Sequence, residues 1–535
     1  MIKINEIKLP LEAPDDELFA IAAKKLGIPR QDVKNVTLLK KAIDSRKKDN
    51  IFFVCNIAAE INGDEAAAVR RASDSKITLY EKKEYEMPVC RRKSGLRPVI
   101  VGFGPAGFFA GLTLARAGLR PLIIERGADV DARAKHVASF WQTGKLNTES
   151  NIQFGEGGAG TFSDGKLTTG IKDSLCTKVI EEFVAHGAPE EILYSATPHI
   201  GTDRLPSVIK SIREEIISLG GEVRFNTLLT DIIIANGSVQ GVSYTSGGVS
   251  EDFETDTLLL CIGHSSRDTL EMLYRKGFNM IQKPFSVGAR IEHPREFIDK
   301  AQFGTFAGHP KLGAAVYKLA CHPPGGRGAY TFCMCPGGTV VCASSEENEC
   351  VVNGMSEYAR DGRNSNSAVL VGVEPEDFGS PHPLAGIELQ RRIEKKAFES
   401  AGSDYSCPAQ TVGDFLAGRA SSRLGCVEPT CPTGVTPGDI RNILPARVCS
   451  VMSDALGKMD RMLTGFAMAD AVLTAPETRS SSPVRILRSD ILQSNIRGVY
   501  PCGEGAGYAG GIVSSGVDGI RCAHAVLLDE NDDCI

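Results

Sequence analysis

The stretch Val99-Ile100-Val101-Gly102-Phe103-Gly104-Pro105-Ala106-Gly107-Phe108 limits what this chain can fold into more than any other. An apolar run enters three glycines at the G-x-G-x-x-G spacing, and a helical pattern follows. Gly102 permits a tight turn after a strand, Gly104 lets phosphates approach the backbone, and Gly107 lets the helix lie close on the strand. The helix N-terminus adds free N–H groups and the positive end of a dipole. The pattern predicts a helix over residues 106–117 that stops at Gly118. A second apolar run, Pro121-Leu122-Ile123-Ile124, ends at Glu125, about 20 residues after the first glycine, where a ribose-binding carboxylate belongs. A glycine triplet alone says little; strand, glycines, helix, strand and acid in this order describe a dinucleotide site.

A chain of 535 residues is too long for one core, so several domains are expected. Residues 1–93 read as a small α+β domain of ferredoxin-like type, with the order βαββαβ. Its two central strands are joined by the charged turn Ser45-Arg46-Lys47-Lys48-Asp49-Asn50. Residues 94–275 hold the dinucleotide unit, an amphipathic helix over 205–218, a meander around Ile232, Val242 and Phe253, and a strand running into Cys261-Ile262-Gly263-His264. Residues 276–482 change character. Strands over 286–292, 329–334 and 339–343, with helices over 387–401 and 450–473, describe an inserted α+β substrate or cap domain. Residues 483–535 return to the first unit, with a short strand, the turn Cys502-Gly503-Glu504-Gly505 and a helix opened by Gly510-Gly511-Ile512-Val513. The fold class is therefore α/β, a discontinuous Rossmann-like domain carrying an insertion. No second complete glycine fingerprint lies in that insertion.

A further glycine-rich stretch, residues 154–167, interleaves Ser163, Asp164 and Lys166 with glycines and suits a backbone pressed against a flat or anionic ligand. The net charge of −6 makes no electrostatic case for nucleic-acid binding by the whole chain; only the 45–50 turn and Arg91-Arg92-Lys93 are locally basic. The first residues lack the apolar core of a signal peptide, and no run approaches the roughly 20 apolar residues of a membrane span. A cytoplasmic protein without membrane contact is expected. The 16 cysteines form no dense framework and read as reduced thiols. Cys426 and Cys431 have the spacing of a redox pair but stand far from the glycine clamp. Cys333 and Cys335 with Cys342 lack the further ligand that completes a metal set, so no metal is expected.

Three segments resemble the FAD-contacting motifs of two-dinucleotide-binding-domain flavoproteins: the clamp with Glu125-Arg126-Gly127, the strand ending Cys261-Ile262-Gly263, and Gly498-Val499-Tyr500-Pro501-Cys502-Gly503-Glu504. More narrowly, residues 155–167, 263–269, 283–294 and 477–485 resemble the bacterial family of uncharacterised FAD-dependent dehydrogenases, across nearly the whole chain. The resemblance implies FAD as cofactor. It implies that Gly102, Gly104, Pro105, Ala106 and Gly107 hold the pyrophosphate, that Glu125 binds the adenosine ribose, and that Arg126 and Leu229 border the adenine. Gly263 would pass near the pyrophosphate, and Cys261 and His264 beside it would also touch the cofactor. Gly503 and Glu504 would meet the ribityl chain, and Gly511, Ile512 and Val513 the pyrimidine edge. The stretch 156–166, with Gly157, Gly158, Ala159, Gly160, Thr161, Ser163, Asp164 and Lys166, would line the ribityl chain or the ring.

The flavin performs hydride chemistry itself while the protein orients the substrate and tunes the ring. Lys166, His264 and Arg290 are the catalytic candidates, Arg290 with Glu292 and His293 as a polar set on one strand. The expected activity is an FAD-dependent oxidoreductase taking hydride from a small or medium organic substrate, with O2, NAD(P) or another acceptor completing the cycle. The alternatives are an RNA-modifying flavoprotein, suggested by the modestly basic N-terminal domain, and a non-enzymatic flavin-bound redox sensor.

Overall fold

The computed structural model describes residues 1–14, 16–322 and 326–530. At the N-terminus four antiparallel strands are ordered Val33–Asp44, Phe52–Ile61, Ile2–Pro10, Ile77–Leu79, with helices Glu17–Leu26 and Glu65–Ala72. The first strand shows why its sequence works. Ile2 and Ile4 point inward, but Ile7 is three residues on and strict alternation would turn it outward. A register shift between Ile4 and Ile7, with Glu6 at φ 56, inserts the extra residue and keeps Ile7 buried. The second strand docks on the rest of the chain: Lys41 N–H donates to Tyr194 O at 2.7 Å and its carbonyl accepts from Ala196 N–H at 2.9 Å. Arg92 is not free for a partner. It is buried, ion-pairs with Asp256, and donates to the carbonyls of Ser94 and Leu96.

A five-stranded parallel sheet follows, ordered Val499–Pro501, Leu258–Leu260, Val99–Val101, Leu122–Ile124, Glu222–Arg224. The central strands are apolar throughout because both faces are covered. On one face the clamp helix Pro105–Arg116 packs against the last helix, Ile512–Leu528. The contact is backbone-close: a Cβ on Gly519 would lie 2.2 Å from Ala106 O. An antiparallel meander, Thr227–Ala235, Ser238–Ser246 and Val249–Glu254, stands beside the sheet.

The chain leaves this unit through strand Met280–Gln282 and returns through Val484–Ile486, which pair antiparallel. Between them lies a seven-stranded sheet ordered Ala320–Cys321, Ala329–Cys335, Asn364–Val373, Phe285–Pro294, Val472–Glu477, Cys407–Thr411, Val435–Pro437. A separate hairpin pairs Thr339–Cys342 with Val352–Met355. One expectation needs correction. Residues 450–473 are not one helix: the helix Ala446–Met462 ends, Gly465 turns the chain at φ +87, and Val472–Glu477 is a buried sheet strand. The run from Ala471 to Ala475, apolar except for Thr474, is buried on both sides, which erases the helical period used to read it. Among the described residues no helix is long and apolar enough to cross a membrane.

Candidate functional site: a glycine-lined cavity between two sheets

The three clamp glycines do different work. Gly102 sits at φ +99, and a Cβ there would lie 2.3 Å from Cys261 O. A Cβ on Gly107 would lie 1.9 Å from Gly102 O, so Gly107 is a packing glycine and does not line the cavity. Gly104 is the open one. It caps the helix Pro105–Arg116 without a side chain, and the nearest atom to a Cβ there is Gly158 Cα at 3.8 Å. Gly102, Gly104, Pro105 and Ala106 all face a cavity of about 680 Å³.

Glu125 lines the same cavity and organises its rim. Its Oε2 accepts from Phe103 N–H at 2.8 Å, and its Oε1 from Gly127 and Gly155 N–H at 2.9 Å each. A carboxylate offers about four acceptor sites, so one remains for a ligand hydroxyl. Arg126 stands 4.2 Å over the Phe154 ring, held by Glu149 and Asp268. Leu229, Cys261, Gly263 and His264 complete this side.

The second glycine-rich loop is built from behind by a residue that sequence reading missed. Arg133 is fully buried and donates to four carbonyls, those of Asn151, Ile152, Glu156 and Gly158. Nothing in its helical sequence context marks it out. The loop presents Gly158, Ala159, Gly160, Ser163 and Lys166 to the cavity. Several expected contacts are corrected here. Glu156 points inward to Arg213 and Val130 N–H, and burial pushes its carboxyl up to about 6. Gly157 leaves room for Thr161 Oγ1, 2.2 Å from where a Cβ would be, and Thr161 donates to Glu156 O. Asp164 is fully buried behind the wall, with Lys166 Nζ at 2.9 Å and the Arg360 guanidinium bidentate. Burial alone would raise the Asp164 carboxyl, but Lys166 and Arg360 outweigh it and hold it below its ordinary value. Asp164 therefore positions two cavity-facing cations and does not face the ligand itself.

The helix Ile512–Leu528 brings a second uncapped N-terminus, at Gly511. Glu504, Gly511 and Ile512 line the cavity; Gly503 and Val513 do not. Gly503 packs on Ala106 and donates its N–H to Asp518, and Val513 belongs to the core. His264 Nδ1 is 3.7 Å from Glu504 Oε1, and its Nε2 is buried without a hydrogen-bond partner. Burial, with Arg479 and Arg267, pushes the His264 imidazole down to about 4, so it is neutral at pH 7.

Burial pushes the Glu504 carboxyl up to about 7, opposed by Gly511 N–H and Lys283. A carboxyl raised in the folded state contributes stability in full below its unfolded pKa and loses it as pH climbs through the folded value. In flavin-free protein the stability advantage of wild type over Glu504→Gln is expected to fall between pH 4.5 and about 7. The side chain is 23% exposed toward the cavity, so we expect a loss of about 1–3 kcal/mol. Denaturant unfolding of both proteins across this range measures it; parallel curves would refute the assignment.

The far wall comes from the seven-stranded sheet, with Thr331, Cys333 and Glu477, from the segments flanking its strands, with Tyr317 and Arg479, and from the hairpin, with Asn353. Arg290 is not among them. It is fully buried behind the wall, 2.7 Å from Glu477 Oε2, and donates to Asn353 Oδ1, Asn366 Oδ1 and Cys333 O. Burial raises the Glu477 carboxyl and Arg290 opposes it. Glu292 and His293 are buried too, bonded to Thr430 and to Phe466 O, so this trio is no substrate-facing set. Cys333 sits at φ +43 in a bulge and lines the cavity. A hydrogen bond from the Cys335 thiol pulls the Cys333 thiol down, burial opposes, and Lys166 and Arg290 assist. Cys426 and Cys431 form no pair: Cys426 is exposed beside Asp470, and Cys431 is buried against Cys407.

These residues fit a bound dinucleotide. Where side chains would stand on Gly263 and Gly511 there is no atom within 4 Å, and two uncapped helix starts open on the cavity. A parallel βαβ clamp completed by a strand and helix from the chain's end defines an FAD-binding flavoprotein. Residues 284–480 match the family model described as FAD-dependent protein, C-terminal domain-like, and residues 1–60 match a domain of unknown function. A protein of Clostridium beijerinckii, described as an uncharacterized protein, is 46% identical over 535 residues, 98% of each chain. The chain belongs to this bacterial family of FAD-dependent proteins, and its cofactor is FAD. Among solved structures it is similar to a variant of E. coli quinol fumarate reductase FrdA, with 11% identity over 81% of this chain and 70% of that one and a TM-score of 0.34. It is also similar to CmlS, a flavin-dependent halogenase, with 13% identity over 77% of this chain and 53% of that one and a TM-score of 0.34. The chain thus spans about half the length of the halogenase.

Proposed function

We propose that this protein is an FAD-dependent oxidoreductase, a dehydrogenase that takes hydride from a small or medium organic substrate bound between the two sheets. One observation carries the reading: a single cavity joins the dinucleotide clamp to Tyr317, Cys333, Asn353 and Glu477 of the inserted region. Bound FAD supplies a hydride-accepting ring. The chain supplies charge and orientation. Lys166 and Arg360 share the one carboxylate of Asp164, which leaves a net positive charge on that wall. The Lys166 side chain lines the cavity with its Nζ buried beside Asp164, so the ammonium attracts a substrate carboxylate or carbonyl oxygen as a charge just behind the wall. Arg290 and Glu477 hold Asn353 and the Cys333 backbone in place from behind. Glu504, with its carboxyl near neutrality, exchanges a proton at the cavity surface. O2, NAD(P) or another acceptor closes the cycle.

The test is anaerobic bleaching of the flavin against a metabolite panel weighted to organic acids and carbonyl compounds, with NADH and NADPH included. Rapid loss of the oxidised flavin band with at least one organic substrate is expected. A flavin that stays oxidised with every compound overturns the reading.

A further inference from the structure

Four cysteines from distant parts of the chain meet away from the flavin cavity. Cys342 ends one strand of the small hairpin and Cys350 lies just before the other. Cys407 opens the strand Cys407–Thr411, and Cys431 stands in the turn that precedes Val435–Pro437. The sulfurs of Cys342, Cys350 and Cys407 are all within 4.8 Å of one another, with Cys407 Sγ 3.7 Å from Cys350 Sγ; Cys431 stands outside that mutual set, its Sγ 3.6 Å from Cys407 Sγ. The first three are fully buried and Cys431 is 8% exposed. None is in a disulfide.

Thiols are weak donors and weak acceptors, so gathering four of them returns little hydrogen-bond energy. A tetrahedral ion with metal–sulfur bonds of about 2.3 Å has sulfur–sulfur edges of about 3.8 Å, which is the spacing of the pairs around Cys407. One hydroxyl donor stands where a thiolate needs it, Thr433 Oγ1 at 3.4 Å from Cys431 Sγ; the Ser344 hydroxyl, 3.3 Å from Cys342 Sγ, gives its proton to Glu349 O. Two other groupings of potential ligands are already neutralised by guanidinium. Asp518 beside Cys502 and Cys522 pairs with Arg488, and Glu346, Glu349 and Glu394 pair with Arg267 and Arg479. Among the described residues no Lys or Arg is hydrogen-bonded or ion-paired to the four thiols.

We propose that Cys342, Cys350, Cys407 and Cys431 bind one zinc ion that fastens the hairpin to the edge of the seven-stranded sheet. An all-sulfur tetrahedral donor set suits zinc and iron, and zinc is the metal of closed structural sites of this kind. Each thiol releases its proton as the metal binds. The fastened hairpin carries Asn353, which accepts from Arg290 at 3.0 Å and lines the flavin cavity, so the ion braces one wall of the site from outside.

Metal analysis of the full-length flavoprotein, purified without chelator, is expected to read about one zinc per chain, released by a thiol-directed mercurial. Cobalt exchanged into the site is expected to show the intense d–d bands of tetrahedral thiolate coordination, at longer wavelength than the flavin absorbs. Cys407→Ser is expected to lower zinc content at least about fivefold. Cys426→Ser, which alters an exposed thiol bonded to Asp470, is expected to leave it unchanged. If Cys407→Ser does not fold, the zinc count and the cobalt spectrum of the wild type still decide. Reduced protein that neither contains zinc nor takes up cobalt overturns the proposal. So does a disulfide between any two of the four cysteines, or stoichiometric iron in place of zinc.

Discussion

Gly104→Leu is expected to give a folded, colourless protein. Gly104 has φ −80 and ψ −175, an ordinary extended conformation for any residue, and a Cβ there meets nothing closer than 3.8 Å. The added side chain therefore costs the fold little and fills the space beside the uncapped helix start. We expect FAD affinity to fall by roughly 100-fold or more, equivalent to about 3 kcal/mol. The paired substitution Gly107→Ala behaves in the opposite way. Its Cβ would stand 1.9 Å from Gly102 O, so strand and helix must separate, and we expect about 2–4 kcal/mol of lost stability. Flavin content per chain and thermal unfolding measure both. A yellow Gly104→Leu protein with wild-type affinity would show that the clamp holds no pyrophosphate there.

Lys166→Met is expected to keep its flavin and lose its chemistry. Asp164 stays paired with Arg360 when the ammonium is removed, so no buried charge is orphaned and the wall survives. What disappears is one of the two positive charges set just behind that wall of the cavity. Removing one such preorganised group costs on the order of 100-fold in rate. Anaerobic stopped-flow with the substrate found by bleaching should show that fall in the rate of flavin reduction. An unchanged rate would place Lys166 outside the reaction and leave Arg360 as the charge that binds substrate.

Much of the site was legible because its parts are local. Val99 to Gly107 is a strand, a turn and a helix start in nine consecutive positions, and each glycine answers a steric demand visible at short range. The helix Leu205–Ser218 follows its apolar period to the residue. Legibility failed where a position's meaning depends on a distant neighbour. Asp164, Gly157 and Thr161 sit in a loop of the right composition, yet which of them face the ligand depends on Arg360, Ile209 and the carbonyls gathered by Arg133. Arg290 and Glu292 alternate as one face of a half-exposed strand would, with His293 on the other face, but that strand is central in a covered sheet and all three are buried.

By itself the sequence determined the dinucleotide clamp, the acid that follows it, and the return of the last strand and helix to the same sheet. These follow from backbone sterics and apolar periodicity, which act over a few residues. Tertiary structure alone decided that Lys166 and Arg360 share one carboxylate, that a bulge turns Cys333 into the cavity, and that four cysteines between 342 and 431 come together. Those outcomes depend on sheet register and on which surfaces pack, and a one-residue slip in register reverses the face that every side chain presents.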